Sequence, residues 1–307
     1  MSADHLPFVY VLSLNWNGRE YVKDFCDTIL ALDYPQYKVS VIDNASSDGS
    51  VEYLRQNYPA IDVIQNPTNL GYAAGYNVGI QKAYESGAEY FFILNNDTII
   101  PRETLRNLVS VALTDNTIGF VSGKVYFNEN RSMLQTAGKR DKLWKATVVN
   151  VGQNVIDRGQ FDGQRDYDYL DDVFWLVKSK VYEKLGGYDP EFFLYWEETD
   201  WCARAKGQGF RLVYTPTAKV YHKISMSTGG GSNPKKSYHI RRNAVLFYYR
   251  HKSKPVFLLK LFLILMETFD WRRVAALIVK GKYRENFRAE WNGFVDGLKY
   301  VASGKFK

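Results

Sequence analysis

Four stretches of the chain gather side chains suited to binding: Asn15-Trp16-Asn17-Gly18, Asp43-Asn44-Ala45-Ser46-Ser47-Asp48-Gly49, Asn66-Pro67-Thr68-Asn69 and Asn95-Asn96-Asp97. Singly, such residues make turns and cap helices. Four sets, each following a short apolar run, point to one polar mouth to which Asn15, Asn17, Asn44 and Asn96 contribute. An aspartate at the end of a buried strand can hold Mg2+ or Mn2+ against phosphate oxygens, because hard cations take oxygen ligands and keep few protein bonds. Asp97 occupies such a place. Asp43 could accept the imide N–H of a uracil or thymine ring, a donor that cytosine lacks. The run Asn69 to Gly79, with Gly71 and Asn77, either lets backbone approach a diphosphate at a helix N-terminus or packs a helix closely on a sheet. Neither G-x-G-x-x-G nor G-x-x-x-x-G-K-[ST] is present there, which removes dinucleotide and P-loop readings.

The densest acidic cluster, Glu197-Glu198-Thr199-Asp200, follows Phe192-Phe193-Leu194-Tyr195-Trp196 and opens a helix. Acids at a helix start also serve as partners of the helix dipole. Adjacent residues of a helix point about 100° apart, so one glutamate can be tied structurally while its neighbour acts as a general base. Glu198 is assigned the base and Glu197 the supporting acid. His222 ends a strand-like run and precedes Ser225, Ser227, Thr228 and Gly229-Gly230-Gly231. It could ligate the metal through a neutral imidazole nitrogen, contact a phosphate oxygen, or be structural.

The elements that must carry these residues read as βαβα. Phe8 to Leu14, Lys38 to Asp43, Asp62 to Gln65 and Tyr90 to Leu94 are short runs rich in Val, Ile and Phe, separated by segments of helical length. Such runs imply a mostly parallel sheet covered on both faces, with ligands at the carboxyl ends of its strands. From Gly119 the pattern loosens into strand-like pieces, Gly119 to Phe127, Lys145 to Val151 and Leu170 to Val177, around a polar stretch from Asp157 to Asp168 that reads as a mobile loop. Helical periodicity returns at Ser179 to Leu185 and Glu197 to Lys206, and a strand is expected over Ala218 to Tyr221. Beyond Pro234 the chain reads as helices over about Lys236 to His251, Pro255 to Phe269, Trp271 to Val279 and Tyr283 to Val301. The expected division is a catalytic domain over 1–233, its halves meeting near residue 118, and a helical region over 234–307.

The 307 residues suffice for one large α/β domain with an appendage, and 46% hydrophobic residues exclude a disordered class. Residues 219–307 hold 19 Lys/Arg against 5 Asp/Glu, so this tail either faces an anionic partner or is a solvated basic surface. The apolar run Val256 to Met266 contains Lys260 and is shorter than the ~20 residues that span a bilayer. It could lie in a membrane interface, with Trp271, Arg272, Arg273, Lys280, Lys282 and Arg284 at headgroup depth, or pack on the catalytic domain. No nucleic-acid reading motif is present, and a homo-oligomer contact is the other use of these helices. Two cysteines, Cys26 and Cys202, in no metal or disulfide spacing, and an N-terminus without a basic leader predict a cytoplasmic protein.

Taken in order, Val11 to Gly18, Val41 to Gly49, Asn69 to Gly79, Leu94 to Thr98, Gly186 to Arg204 and Val220 to Ser227 resemble the family 2 glycosyltransferases of the GT-A fold, over roughly residues 8 to 250. The resemblance is greatest to rhamnosyltransferases that use dTDP-rhamnose for surface polysaccharides. It implies that Asn95-Asn96-Asp97 stands at the family's D-x-D position with only Asp97 kept, and that His222 is the metal-coordinating histidine. It also implies that Glu197-Glu198 matches the Glu-Asp pair whose second member is the base. Asp171-Asp172-Val173-Phe174-Trp175 departs from a glycine-containing stretch beside the acceptor; Trp175 and Trp196 are taken as substrate-facing aromatics. The implied reaction is inverting transfer, from dTDP-rhamnose or a UDP-sugar, to a hydroxyl of a lipid-linked or polysaccharide acceptor at an anionic membrane surface. A non-catalytic sugar-nucleotide-binding scaffold is the alternative of another class.

Overall fold

The computed structural model describes residues 6–223, 233–269 and 284–304. In chain order the elements begin β1 (Val9–Asn15), α1 (Arg19–Ile29), β2 (Tyr37–Asp43), α2 (Ser50–Asn57), β3 (Asp62–Gln65), α3 (Gly71–Glu85), β4 (Tyr90–Leu94), β5 (Thr98–Ile99), α4 (Thr104–Ala112) and β6 (Ile118–Phe127). There follow β7 (Met133–Thr136), β8 (Lys139–Arg140), β9 (Val149–Asn150), β10 (Val155–Ile156), β11 (Arg165–Asp166), β12 (Phe174–Lys178), α5 (Ser179–Leu185), α6 (Glu197–Gly207) and β13 (Arg211–His222). The helices α7 (Pro234–His251), α8 (Lys254–Thr268) and α9 (Arg284–Ala302) complete the set. Two compact units emerge: Met1–Arg140, Asn150–Phe193 and Glu197–Ile224 form the first; Asp141–Val149, Leu194–Trp196 and Ser225–Lys307 the second.

In the first unit the main sheet runs β10-β7-β6-β12-β4-β1-β2-β3. β1, β2, β3 and β4 are mutually parallel, whereas β12 runs antiparallel between β4 and β6. The apolar runs are buried because helices cover both faces. On α1, for instance, Val22, Phe25, Cys26 and Ile29 recur at helical spacing and all face the core. On α3, a Cβ at Gly75 would meet Asn44 and Leu14, and one at Gly79 would meet Ile42 and Leu12, so this helix lies unusually close to β1 and β2. The strand order reverses at β1, with β2 on one side and β4 on the other, which places a topological switch at the ends carrying Asn15, Asp43 and Asn95. This is the GT-A arrangement, a mostly parallel sheet with a mixed extension, that the sequence led us to expect.

Three expectations are corrected. Lys145 to Val151 is not a strand; only Val149–Asn150 is extended, because Lys145 N–H turns back to the Lys142 carbonyl and the carbonyls of both residues accept from Lys260. The strand expected over Ala218 to Tyr221 reaches back to Arg211, with a register shift between Tyr214 and Lys219 where Pro216 has no N–H to give. The polar stretch from Asp157 is tethered. The buried ammonium of Lys124 bonds Asp157 and Asp162, Tyr126 donates to Asp157, and Tyr214 donates to the Phe161 carbonyl.

Within the second unit, α8 turns Lys260, Ile264 and Thr268 inward, the four-residue spacing of one helix face. The fully buried Lys260 ammonium donates to Asp141 Oδ1 at 2.7 Å and to the carbonyls of Lys142 and Lys145. Leu258, Phe262 and Met266 point the other way and are 63%, 57% and 57% exposed.

Candidate active site

The strand ends are knitted together before any ligand arrives. Asn15 Nδ2 donates to Asp43 Oδ1 at 2.9 Å, its Oδ1 accepts from Asn96 Nδ2 at 2.7 Å, and the Ser46 N–H donates to Asp43 Oδ2 at 2.9 Å. Asp43 is therefore fully buried with one donor on each oxygen, and an incoming base would use a second lone pair. Asn17, at φ 50°, accepts from Ser47 N–H. Asn44 ties the ends of β1, β2 and β3 to the start of α3: its N–H donates to the Asn15 carbonyl, its side chain donates to the Gly71 carbonyl and accepts from Asn66. The structure brings these residues together at the strand ends, where the asparagines are bonded largely to one another and to neighbouring backbone.

Other candidates are placed differently from expectation. Asn77 is spent on backbone, its amide donating to the Tyr188 carbonyl and its oxygen accepting from Tyr188 N–H. At Gly71, with φ 80°, a Cβ would lie 2.5 Å from the Phe193 ring, so the missing side chain makes room for that ring. In the first turn of α3 the Gly71 N–H donates to Asn69 Oδ1 and the amides of Tyr72 and Ala73 donate to the Phe193 carbonyl, so this helix end already holds acceptors. Trp175 is enclosed among Phe120, Tyr188 and Trp201, and Trp196 belongs to the second unit, where its indole donates to the Ile240 carbonyl and packs on Phe247. Ser225, Ser227, Thr228, Gly229-Gly230-Gly231, Trp271, Arg272, Arg273, Lys280 and Lys282 lie outside the described residues.

Past β4 the chain turns through Asn95-Asn96-Asp97 into β5, which pairs antiparallel with the end of β13 and sets Thr98 opposite His222. His222 Nε2 and Asp97 Oδ1 meet at 3.0 Å, a buried ion pair when the imidazole carries its proton, and neither atom has a further partner among the described residues. The other imidazole nitrogen, Nδ1, contacts Gln135 Oε1 at 2.8 Å, while Gln135 Nε2 donates to the His222 carbonyl. Burial pulls the His222 imidazole down, but the charges of Asp97, then Asp171 and Glu129, outweigh it and leave the group raised. A carboxylate and an imidazole that converge with no other protein partner at those two atoms could, with the imidazole neutral, hold a divalent cation such as Mn2+ in place of the shared proton, since such ions take mixed O and N donors. No set of three or more His, Cys, Asp or Glu side chains is arranged to hold a metal among the described residues, so substrate phosphate and water would supply the remaining ligands.

Beside this pair lies the acid cluster. The Asn95 N–H donates to the Val173 carbonyl, which brings Asp171 and Asp172 alongside the turn that carries Asp97. Lys139 Nζ lies 2.8 Å from Glu198 Oε1 and 3.1 Å from Asp171 Oδ2, and Thr199 Oγ1 also donates to Glu198 Oε1. Both bonds fall on one oxygen, so Oε2 of Glu198 has no protein partner among the described residues. Glu197 is buried with Oε2 unpartnered, and burial, Glu198 and Asp172 push its carboxyl well above the usual range. Asp172 accepts from Tyr188 and is pushed up to about 8 by burial and then by Glu198 and Asp171. The charge of Asp171 acts on both His222 and Lys139, which joins the Asp97–His222 pair and the acid cluster in one neighbourhood. Just ahead of Glu197 the backbone of Phe193, Tyr195 and Trp196 is held at φ 53°, 67° and 75°, a region that bulky residues enter at ~1–3 kcal/mol each. Lys139 and Gln135 escaped the sequence reading, since neither sits in a motif; Asp171 and Asp172 were visible only as a departure from a pattern.

The chain belongs to glycosyl transferase family 2, whose pattern matches residues 11–185. It is 23% identical over 224 residues to rhamnosyltransferase WbbL of Escherichia coli (strain K12), covering 70% of this chain and 83% of that one. To the N-acetylglucosaminyl-diphospho-decaprenol L-rhamnosyltransferase of Mycobacterium tuberculosis (strain ATCC 25618 / H37Rv) it is 22% identical over 270 residues, 82% of this chain and 86% of the other. In three dimensions it resembles the mannosyltransferase PcManGT from Pyrobaculum calidifontis, solved in complex with GDP-Man and Mn2+. The TM-score is 0.62 at 17% identity, over 98% of this chain and 89% of that one.

Proposed function

We propose that this glycosyltransferase is an inverting hexosyltransferase moving L-rhamnose from dTDP-rhamnose to a hydroxyl of a lipid-linked glycan. The observation that carries the reading is the buried pairing of Asp97 Oδ1 and His222 Nε2 at 3.0 Å, with no other protein partner at either atom among the described residues, beside the cluster holding Glu198. A divalent cation bound there would offset the charge that builds on the departing diphosphate. Oε2 of Glu198 takes the proton of the acceptor hydroxyl, whose oxygen attacks the anomeric carbon from the face opposite the leaving group. The C–O bond to the diphosphate breaks, and the nucleoside diphosphate departs with that electron pair. Asp43 accepts the imide N–H of the thymine, and Asn15 and Ser46 hold its carboxylate for that purpose. The two rhamnosyltransferase relatives favour rhamnose over the sugars of UDP donors.

Calorimetry over a panel of sugar nucleotides, with and without Mn2+, tests the donor. Cation-dependent binding of dTDP-rhamnose is expected, with turnover once a lipid-linked glycan is added and no binding of CDP-sugars. Faster transfer from a UDP-sugar would overturn the donor assignment, and no turnover with any donor would favour a scaffold.

We further assign the outward face of α8 to an anionic membrane surface where the acceptor resides. No helix among the described residues is long and apolar enough to cross a membrane, while Leu258, Phe262 and Met266 form an exposed apolar stripe in a strongly basic stretch. Salt-sensitive cosedimentation with phosphatidylglycerol vesicles, but not with phosphatidylcholine vesicles, is expected. The double change Leu258→Ser, Phe262→Ser should weaken it by about tenfold or more, since each buried side chain contributes ~1.5–3 kcal/mol. Equal binding of the altered and unaltered proteins would remove α8 from the contact.

A further inference from the structure

Among the described residues Lys139 is the one cation bonded into the cluster of Asp171, Asp172, Glu197 and Glu198, and its position is built rather than incidental. Its backbone forms a two-bond bridge with Tyr169, Lys139 N–H to the Tyr169 carbonyl at 2.9 Å and Tyr169 N–H to the Lys139 carbonyl at 3.2 Å. That bridge sets the lysine two residues from Asp171, and the side chain, only 10% exposed, reaches across to α6. An ammonium so enclosed loses hydration, which lowers its tendency to stay charged, yet Asp171 and Glu198 more than restore it and the group is raised. Of the other groups around it, Asp172 and Glu197 are pushed toward their neutral forms, and burial pushes the Cys202 thiol up to about 12. In the geometry one ammonium is shared between two carboxyl groups, those of Asp171 and Glu198.

Resting on Glu198 as the base, we propose that Lys139 is a positioning residue for the transfer. Through Oε1 it aims the Glu198 carboxylate, with Oε2 toward the acceptor, while Asp171 competes for the same ammonium. Donor binding, which lies with the strand ends and the Asp97–His222 pair, is outside its reach.

The test is the pH dependence of kcat/KM for the full chain, together with the calorimetric Kd of the donor with Mn2+. Lys139→Met should move the acid limb upward by about one pH unit or more, the size expected when an opposite charge within a few ångström is removed. The donor Kd should stay within about twofold, and Lys139→Arg should restore much of the limb. Asp171→Asn, milder on the fold because that side chain is partly exposed, should move the limb the other way by freeing the ammonium for Glu198 alone. An acid limb unmoved in both Lys139→Met and Asp171→Asn overturns the inference; should Lys139→Met not fold, the Asp171→Asn limb decides alone. Glu198→Gln measured alongside separates the two readings. If it is inactive while the limb stays put, only the role of Lys139 falls. If it still turns over, the base assignment falls and this inference falls with it.

Discussion

Glu198→Gln is expected to lower kcat by ~10²–10⁴-fold, the range that a positioned general base contributes, while the donor Kd with Mn2+ changes by less than about twofold. Glutamine keeps the length and shape of the side chain, and its oxygen can still accept from Thr199 and Lys139, so the packing of α6 should survive. What it loses is the ability to take a proton at the second oxygen. Because that proton moves only as the acceptor oxygen attacks, kcat and kcat/KM should fall together with KM little changed. Glu197→Gln is the informative contrast, since that carboxyl is already pushed toward its neutral form and the amide imitates it. Turnover by the Glu198 variant within about tenfold of the parent would remove this residue from proton transfer.

Asp97→Ala should abolish cation-dependent donor binding, with an apparent Mn2+ affinity reduced by more than ~100-fold, because even partners behind the first ligands commonly contribute 10–100-fold. The reasoning is stoichiometric. The described residues bring one carboxylate and one imidazole together there, so deleting either leaves a single protein ligand. His222→Ala should produce a loss of the same kind. Electron paramagnetic resonance of titrated Mn2+ reads the bound ion directly, and calorimetry with dTDP reads the consequence for the donor. Free nucleoside, which carries no phosphate, should bind the variant and the parent alike. An unaltered Mn2+ titration in the Asp97 variant would move the metal elsewhere.

Much of the donor side was legible in the sequence because it is local. Short Val, Ile and Phe runs ending in Asn, Asp and Gly specify strands and their turns, and β1 to β4 fall within a residue of expectation. Asp97 and His222 were readable from their places at strand ends, although nothing local shows that β5 and β13 would pair and bring them together. The acid cluster was half legible. Glu197 and Glu198 announce themselves, but Lys139 is 59 residues from the carboxylate it bonds, and Gln135 is 87 residues from His222. Contacts across such distances leave no periodicity. The same holds for Lys260, which in sequence merely interrupts an apolar run, whereas in the fold it is the group around which residues 141–145 turn.

The seating of Phe193 against Gly71 has a consequence for how the enzyme can vary. The helix beginning at Gly71 leans on β1 and β2, and the amides of Tyr72 and Ala73 and the missing Cβ of Gly71 are all committed to Phe193, four places ahead of Glu197. Donor preference and transfer rate are thereby mechanically joined: a substitution that shifts this helix to admit a different sugar nucleotide also drags the glutamates. New specificities should therefore arise through paired changes on the two sides of that seam.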